Sequence, residues 1–138
     1  GLLGSAFGKI FFTPYDKVTG WEIWQSDGTA QGTSLLKDIY KGYSSSDPSR
    51  FVMSHGVVFF GASDADHGDE FWQTDGTASG TFMIKDIQPG SGSSYPSNIV
   101  DVNGTLFFDA FDASNDLELW KSDGTEAGTV RVANINPN

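Results

Sequence analysis

The stretch EIWQSDGT at residues 22–29 decides the fold, because it returns twice at a fixed spacing. It recurs as EFWQTDGT at 70–77 and as ELWKSDGT at 118–125, and the offset is 48 residues in both cases. The apolar run GKIFF at 8–12 returns in the same register as GVVFF and then as GTLFF. A fixed period of this length is typical of repeat proteins, in which each repeat is one structural unit. The chain is therefore interpreted as three copies of one 48-residue unit.

Each unit has the pattern of four β-strands. In the second unit the extended runs are 50–55, 57–62, 69–74 and 81–87. A glycine separates the first two runs, and an Asp-Gly-Thr turn separates the last two. Asp-Gly supplies the positive φ that a tight hairpin needs. No window keeps a helical period, so the pattern predicts an all-β fold.

The strands carry apolar residues on both sides, which favours stacked sheets. Successive residues of a strand point to opposite faces, and Phe59-Phe60 and Phe71-Trp72 therefore place apolar side chains on both. Strands buried on two faces are typical of a sheet packed between sheets, as the blades of a β-propeller are. The prediction is three four-stranded propeller blades. A β-trefoil and a β-prism are the alternatives.

The 48-residue register sets the expected boundaries of these blades. Residues 1–138 form a single repeat domain with blades at about 8–55, 56–103 and 104–138, the last completed by residues 1–7. Propellers have about 4–8 blades, so three cannot close a ring. We therefore expect a homo-oligomer that completes the ring, and a dimer with six blades is favoured.

The repeat also resembles a known family. Residues 118–129 read ELWKSDGTEAGT, which is similar to the ELWxxDGTxxGT repeat that occurs in tandem in large bacterial proteins, secreted or on the cell surface. Units one and two depart from it mildly, with Ile23 and Phe71 at the leucine position. The resemblance implies long propeller-like arrays, an extracellular location and no established catalytic chemistry, and it supplies no ligand-binding residues.

Composition excludes several classes of function. The chain has 18 Asp and Glu against 8 Lys and Arg, a net charge of −10, which disfavours nucleic acid and anionic membrane surfaces as partners. No apolar run approaches the length of a membrane-spanning helix, so no membrane insertion is expected. Cysteine is absent, and His55 and His67 have no repeated partner. No motif of a known catalytic class occurs, so we expect no enzyme and assign no catalytic residue.

The repeated aspartates of the turns are expected to be structural. The carboxylate of such a turn caps backbone amides, glycine takes the left-handed position and threonine closes the loop. A metal or sugar site is the alternative use of these residues. The positions are Asp27, Asp75 and Asp123.

One acidic loop is a calcium candidate, although no cofactor is certain. Alternating oxygen ligands around a glycine suit a hard cation, and the second unit offers Asp64, Asp66, Asp69 and Glu70. A solvated acidic turn is the alternative. A glutamate recurs two residues before the repeated tryptophan, and we expect backbone amides or a hydroxyl of the neighbouring loop to satisfy it locally, with a cation as the alternative partner. These glutamates are Glu22, Glu70 and Glu118.

Aromatic residues that differ between units are the candidates for ligand contact. Exposed rings beside polar groups suit sugar stacking, and the candidates are Trp21, Tyr15, Tyr43 and Tyr95. The tryptophans common to all units, Trp24, Trp72 and Trp120, are expected to pack between blades. The resulting hypothesis is a non-enzymatic, lectin-like binding module for a glycan or a surface protein. A purely structural adhesin or spacer repeat is the alternative, and a glycan-active hydrolase is less favoured.

Overall fold

The structure, a computed structural model, describes residues 1–135 apart from the side chain of Leu2. In that range it contains β-strands and no α-helix, which confirms the all-β prediction. No helix that could cross a membrane is found among those residues. The strands form three four-stranded antiparallel sheets and one two-stranded ribbon.

In each four-stranded sheet, neighbouring strands follow one another in chain order, and only the ribbon interrupts the first sheet. The first sheet consists of β1 (Leu2–Ala6), β2 (Lys9–Phe12), β5 (Ile23–Ser26) and β6 (Ser34–Lys37). The central sheet consists of β7 (Ser49–Ser54), β8 (Val57–Ala62), β9 (Glu70–Thr74) and β10 (Phe82–Lys85). The third sheet consists of β11 (Ser97–Val102), β12 (Thr105–Phe111), β13 (Leu117–Ser122) and β14 (Val130–Arg131). The ribbon, β3 (Tyr15–Asp16) and β4 (Gly20–Trp21), is inserted between β2 and β5.

The first two strands of every sheet are joined by a two-residue turn that ends in glycine. Phe7, His55 and Asn103 have φ values of 56°, 49° and 53°, and the glycines that follow them have φ values of 70°, 75° and 89°. Two successive residues of positive φ form the turn whose twist matches that of paired antiparallel strands. The turn therefore pairs each first strand with the strand that follows it directly in the chain.

This local pairing corrects the expected blade boundaries. Strand β1 pairs with β2, with Ala6 opposite Lys9, and belongs to the first sheet. The third sheet has a first strand of its own, β11, so residues 1–7 do not complete it. The sheets therefore correspond to residues 1–48, 49–96 and 97–135, because a two-residue hairpin forms between neighbours in the chain. The last three residues of the predicted third blade lie outside the described range.

The three sheets are stacked, and the core consists of the two layers between them. One cluster of buried side chains joins the first sheet to the central sheet, and a second cluster joins the central sheet to the third. In the second layer the rings of Phe59, Phe71 and Phe108 stack with centroid distances of 5.7 and 4.5 Å. Strand β1 contacts β7, and β7 contacts β11, so neighbouring sheets meet at their first strands.

We name the faces of a sheet by their neighbours in this stack. The front face of a sheet is the side directed toward the next sheet in the chain, and the back face is the side directed toward the preceding one. The central sheet is covered on both faces. The front face of the third sheet and the back face of the first sheet have no neighbouring sheet within the described residues.

Candidate functional site

The three Asp-Gly-Thr turns are built alike. In the central sheet Asp75 Oδ1 accepts hydrogen bonds from the Thr77 amide at 2.9 Å and the Thr77 hydroxyl at 2.6 Å. That hydroxyl accepts from the Gly80 amide at 3.0 Å, and Thr81 Oγ1 donates to the Thr77 carbonyl at 2.6 Å. The bonds from the threonine hydroxyl and amide lower the pKa of the aspartate. The same bonds occur around Asp27 and Asp123, so each carboxylate stabilises its own turn.

The repeated glutamates are buried inside the units. Glu70 is 0% exposed, and its carboxylate accepts hydrogen bonds from the amides of Ile87 at 2.8 Å and Ser94 at 3.0 Å, and from the Ser94 hydroxyl at 2.7 Å. Burial raises the pKa of Glu70 to about 7, although these bonds favour the charged form. Glu22 makes the equivalent bonds, and burial raises its pKa too. Each glutamate therefore holds the loop that follows the fourth strand.

The acidic loop of the second unit does not form the expected calcium site. Asp64 Oδ1 accepts from the His67 amide and from His67 Nδ1, both at 2.8 Å. Asp69 pairs with Arg50 at 2.9 Å, and burial raises the pKa of Asp69 against the effect of that arginine. In residues 1–135 no three His, Asp or Glu side chains are grouped to hold a metal ion. The structure therefore does not bring together the predicted ligands Asp64, Asp66, Asp69 and Glu70.

His67 has acidic partners that sequence reasoning missed. Its Nδ1 contacts Asp64, and its Nε2 lies 3.8 Å from Asp86, which follows β10. Burial opposes the imidazolium form, but the bond to Asp64 and the charges of Asp64, Asp86 and Asp66 outweigh it and raise the pKa of His67. Asp86 lies 19 residues away in the chain, so no local motif announces the pairing.

Two of the four predicted ligand-binding aromatics lie together. Tyr15 and Trp21 face each other across the ribbon, with centroids 5.6 Å apart and planes inclined at 55°. Both are exposed, Tyr15 by 61% and Trp21 by 42%. Tyr43 is exposed elsewhere, and Tyr95 packs edge-on against Phe111 at 6.4 Å. The structure therefore offers one aromatic pair rather than a site of four residues.

The front faces of the sheets use one set of positions. In the first sheet these are Phe11, Ile23, Leu36 and Ile39, and in the central sheet Phe59, Phe71, Ile84 and Ile87, all at most 7% exposed. The same positions of the third sheet are Phe107, Leu119, Val132 and Ile135. Here Val132 and Ile135 are 45% and 66% exposed, and the other two are half-buried. The third sheet thus presents the apolar front face of its neighbours without a sheet against it.

The back faces repeat in the same way. Buried positions are Val58, Phe60, Ala62 and Trp72 in the central sheet, and Leu106, Phe108, Ala110 and Trp120 in the third. The first sheet has Ile10, Phe12, Pro14 and Trp24 at these positions. Ile10 is 42% exposed, and the other three are half-buried. Of the repeated tryptophans, Trp72 and Trp120 therefore pack between sheets, and Trp24 lies on the open back face.

Lysines join each sheet to the next at the Asp-Gly-Thr turns. Lys37 of the first sheet donates to the Thr81 carbonyl and, at 3.3 Å, to the Ala78 carbonyl of the central sheet. Lys85 of the central sheet donates to the Glu126 carbonyl of the third at 3.4 Å. The third unit has Ala133 at this position. The lysine contact therefore accompanies both sheet–sheet contacts in the chain, and the open front face lacks the lysine.

His55 also gains partners that the sequence does not indicate. Ser54 Oγ donates to Asp101 Oδ2 at 2.5 Å and lies 3.0 Å from His55 Nδ1. The bond from Ser54, together with that from the Gly104 amide, lowers the pKa of Asp101. The triplet joins β7 to β11, and the equivalents of Asp101 in the other units are Ser5 and Met53. It is therefore unique to the contact between the central and third sheets.

No protein-family model, curated protein or solved structure matches this chain. The fold and the site define it as an all-β chain of three similar four-stranded sheets. Its two end sheets carry the two halves of a contact that the chain makes twice internally, and these exposed halves are the candidate functional site.

Proposed function

We propose that this chain is a non-enzymatic interaction module whose sheets are β-propeller blades, and that it binds a second copy of itself through its end sheets. The observation that carries the proposal is the complementarity of the two open faces. The open front face belongs to the third sheet and the open back face to the first sheet, and both faces are buried wherever the chain itself brings them together. Exposed apolar faces of this kind mark interaction surfaces.

The arrangement of the strands supports the propeller interpretation. Each sheet is a four-stranded antiparallel meander, and the first strands of successive sheets lie side by side. Propeller blades have this strand arrangement, with the first strand of each blade nearest the central channel. The strands of residues 1–135 form neither the closed barrel that the alternative trefoil requires nor a closed propeller ring, and three blades of one chain would leave such a ring open. Three blades from each of two copies supply six, within the range of about 4–8 that closes a ring.

The symmetry of the proposed assembly follows from the faces. The front face of the third sheet in one copy packs on the back face of the first sheet in the other, and the reverse contact completes the ring. Head-to-tail contacts of this type close into a ring of two copies when the rotation per subunit is half a turn. The same proposal includes an extracellular or cell-surface location, which rests on the resemblance to ELWxxDGT repeats, and a glycan or a surface protein as the external partner.

The solution mass tests the assembly. We expect light scattering after size-exclusion chromatography to give about twice the chain mass of 14.9 kDa. Leu119→Asp on the open front face and Phe12→Asp on the open back face should each give monomers, because either places a charge in a desolvated contact. Val18→Asp is the matched control, since Val18 is 73% exposed in the ribbon turn and belongs to neither set of face positions. A wild-type chain that stays monomeric at high concentration contradicts the proposal.

The aromatic pair of the ribbon favours carbohydrate as the external partner. Tyr15 and Trp21 form an exposed, tilted pair beside Asp16, and such rings bind the C–H faces of sugars. A glycan array, run with and without chelator, should show binding that Trp21→Ala removes and Val18→Ala keeps. Equal binding by both variants would exclude this pair as the glycan contact.

A further inference from the structure

A cleft lies between the central and third sheets, at the edge that carries the turns. Its volume is about 410 Å³, which lies in the range of about 300–1,000 Å³ found for ligand pockets. Val57, Phe59 and Leu106 contribute apolar surface to the lining. Gln73, Asn103 and Asp123 contribute polar groups.

The corresponding space between the first and central sheets is occupied by a side chain. Phe7 packs over the turn glycine Gly76, where a Cβ atom would lie 2.9 Å from Phe7 Cδ2. The ring of Phe7 also contacts Phe11 edge-on at 6.2 Å. Phe7 therefore covers the turn at Gly76, whose equivalent in the contact between the central and third sheets is the turn at Gly124.

His55 takes the position of Phe7 in the second contact, but it does not cover the Asp-Gly-Thr turn at Gly124. A Cβ atom at Gly104 would lie 2.6 Å from His55 Cε1, whereas the nearest side chain to Gly124 is Phe59 at 3.5 Å. The imidazole thus lies over the hairpin turn of the third sheet. Ser54 and Asp101 stabilise it there through the hydrogen bonds described above. The cleft is therefore open because the phenyl ring found in the first contact is replaced by an imidazole, and this imidazole lies over the neighbouring hairpin turn instead.

The lining selects a class of ligand. Among the residues that the structure describes, the side-chain amides of Gln73 and Asn103 have no hydrogen-bond partner, and each amide can both donate and accept. Asp123 adds a carboxylate that disfavours anions. The apolar floor disfavours a strongly hydrated cation, which needs several oxygen ligands. A neutral molecule with one C–H face and several hydroxyl groups satisfies all of these surfaces.

We propose that this cleft binds a small neutral sugar of one or two rings. The C–H face of the sugar packs on Val57 and on the accessible edge of Phe59, and its hydroxyls exchange hydrogen bonds with Gln73, Asn103 and Asp123. His55 keeps the cleft open. The site is contained within one chain and uses neither open sheet face, so its occupancy does not depend on self-association. It is also separate from the aromatic pair of the ribbon, which is inserted in the first unit.

The test is titration of the isotope-labelled chain with a panel of methyl glycosides and neutral disaccharides, followed by the amide shifts of residues 103, 104, 123 and 124. We expect saturable shifts with at least one sugar. His55→Phe should weaken that binding at least tenfold, because it places in this cleft the ring that fills the other one. The variant should fold, since Phe7 already adopts φ 56° at the equivalent position.

Asn103→Gly provides an independent variant, because glycine tolerates the φ of 53° at this site and the change removes the side chain that carries the amide group. It should weaken binding several-fold. Val18→Ala should leave binding unchanged, and monomeric Leu119→Asp should bind like the wild type whether or not self-association is correct. No saturable shift with any sugar overturns the proposal. Unchanged binding in His55→Phe overturns it as well, and so does a response to inorganic phosphate or calcium alone.

Discussion

The central sheet and the third sheet have nearly the same sequence pattern, but only the central sheet is covered on its front face. Phe71 of the central sheet is 0% exposed and stacks between two other phenylalanine rings. Leu119 occupies the same strand position in the third sheet and is half-exposed on the open front face. The difference teaches that burial in this chain depends on the place of a unit in the stack, because each face is covered only by a neighbouring sheet.

The largest effect on the free energy of unfolding is expected when a core ring is removed. Phe71→Ala should lower the free energy of unfolding by about 3–5 kcal/mol, the usual cost of removing a buried phenylalanine, and Leu119→Ala by less than about 1 kcal/mol. Both changes are made in the Phe12→Asp chain, so that self-association does not contribute. Urea unfolding measures them, and equal losses would contradict the assigned places of the two sheets.

The buried glutamate of the central sheet gives a pH dependence. Its pKa of about 7 lies above the ordinary value of 4.5, so between these values the folded state binds more protons than the unfolded state. Stability from Glu70 is therefore present below pH 4.5 and is lost as the pH rises through 7, by up to about 3 kcal/mol. Unfolding free energies measured from pH 5 to 8 should fall in the wild type.

Glu70→Gln is the matched variant for that measurement. It keeps the shape of the side chain and removes the titration, so the slope between pH 5 and 7 should become shallower, with the contributions of Glu22, Asp69 and His67 remaining. A slope identical to that of the wild type would mean that Glu70 keeps an ordinary pKa. The variant should also be less stable overall, because an amide accepts fewer of the hydrogen bonds made by the loop at Ser94.

A smaller effect concerns the lysine that the third unit lacks. Ala133→Lys gives the open front face the group that Lys37 and Lys85 use to reach the next turn. If copies associate as proposed, the variant should dimerise several-fold more tightly, by about 1 kcal/mol. Sedimentation equilibrium measures the change, and Ala127→Lys, located in a turn loop, is the charge-matched control. Equal tightening in the control would assign the effect to net charge, and no tightening in Ala133→Lys would contradict the assigned role of the lysine.

The smallest effect is expected where the sheets do not differ. Asp75→Ala and Asp123→Ala should each lower the melting temperature by a few degrees and by similar amounts, because both carboxylates bond only within their own turns. Thermal melts followed by circular dichroism would measure this. A much larger loss for Asp75 would indicate that the turn also depends on the sheets beside it.

Local features of the fold could be predicted from the sequence. Strand β8 was expected at residues 57–62 and is Val57–Ala62, because a glycine turn and a run of apolar residues determine such a hairpin. The ribbon of Tyr15–Asp16 and Gly20–Trp21 was not predicted, since two-residue strands leave no periodic pattern. The partners of His55 and His67 were also missed, because Asp101 and Asp86 are distant in the chain.

The acidic loop illustrates why the remaining site predictions could not be made. The alternation of oxygen ligands from Asp64 to Glu70 suggested calcium, but strand alternation turns Glu70 into the core while Asp69 pairs with Arg50. A spacing rule counts carboxylates and cannot show which partners have already satisfied them.

The sequence by itself determined the repeat, the period of 48 residues, the four strands per unit and the turn chemistry, because these depend on residues that are close in the chain. Only the tertiary structure decided that β1 belongs to the first sheet, that the two end faces remain open, and that His55 leaves a cleft where Phe7 fills one. The physical reason is that burial, hydrogen-bond satisfaction and cavity shape depend on neighbours brought together from different units. In a repeat of constant period, those neighbours differ even where the residues do not.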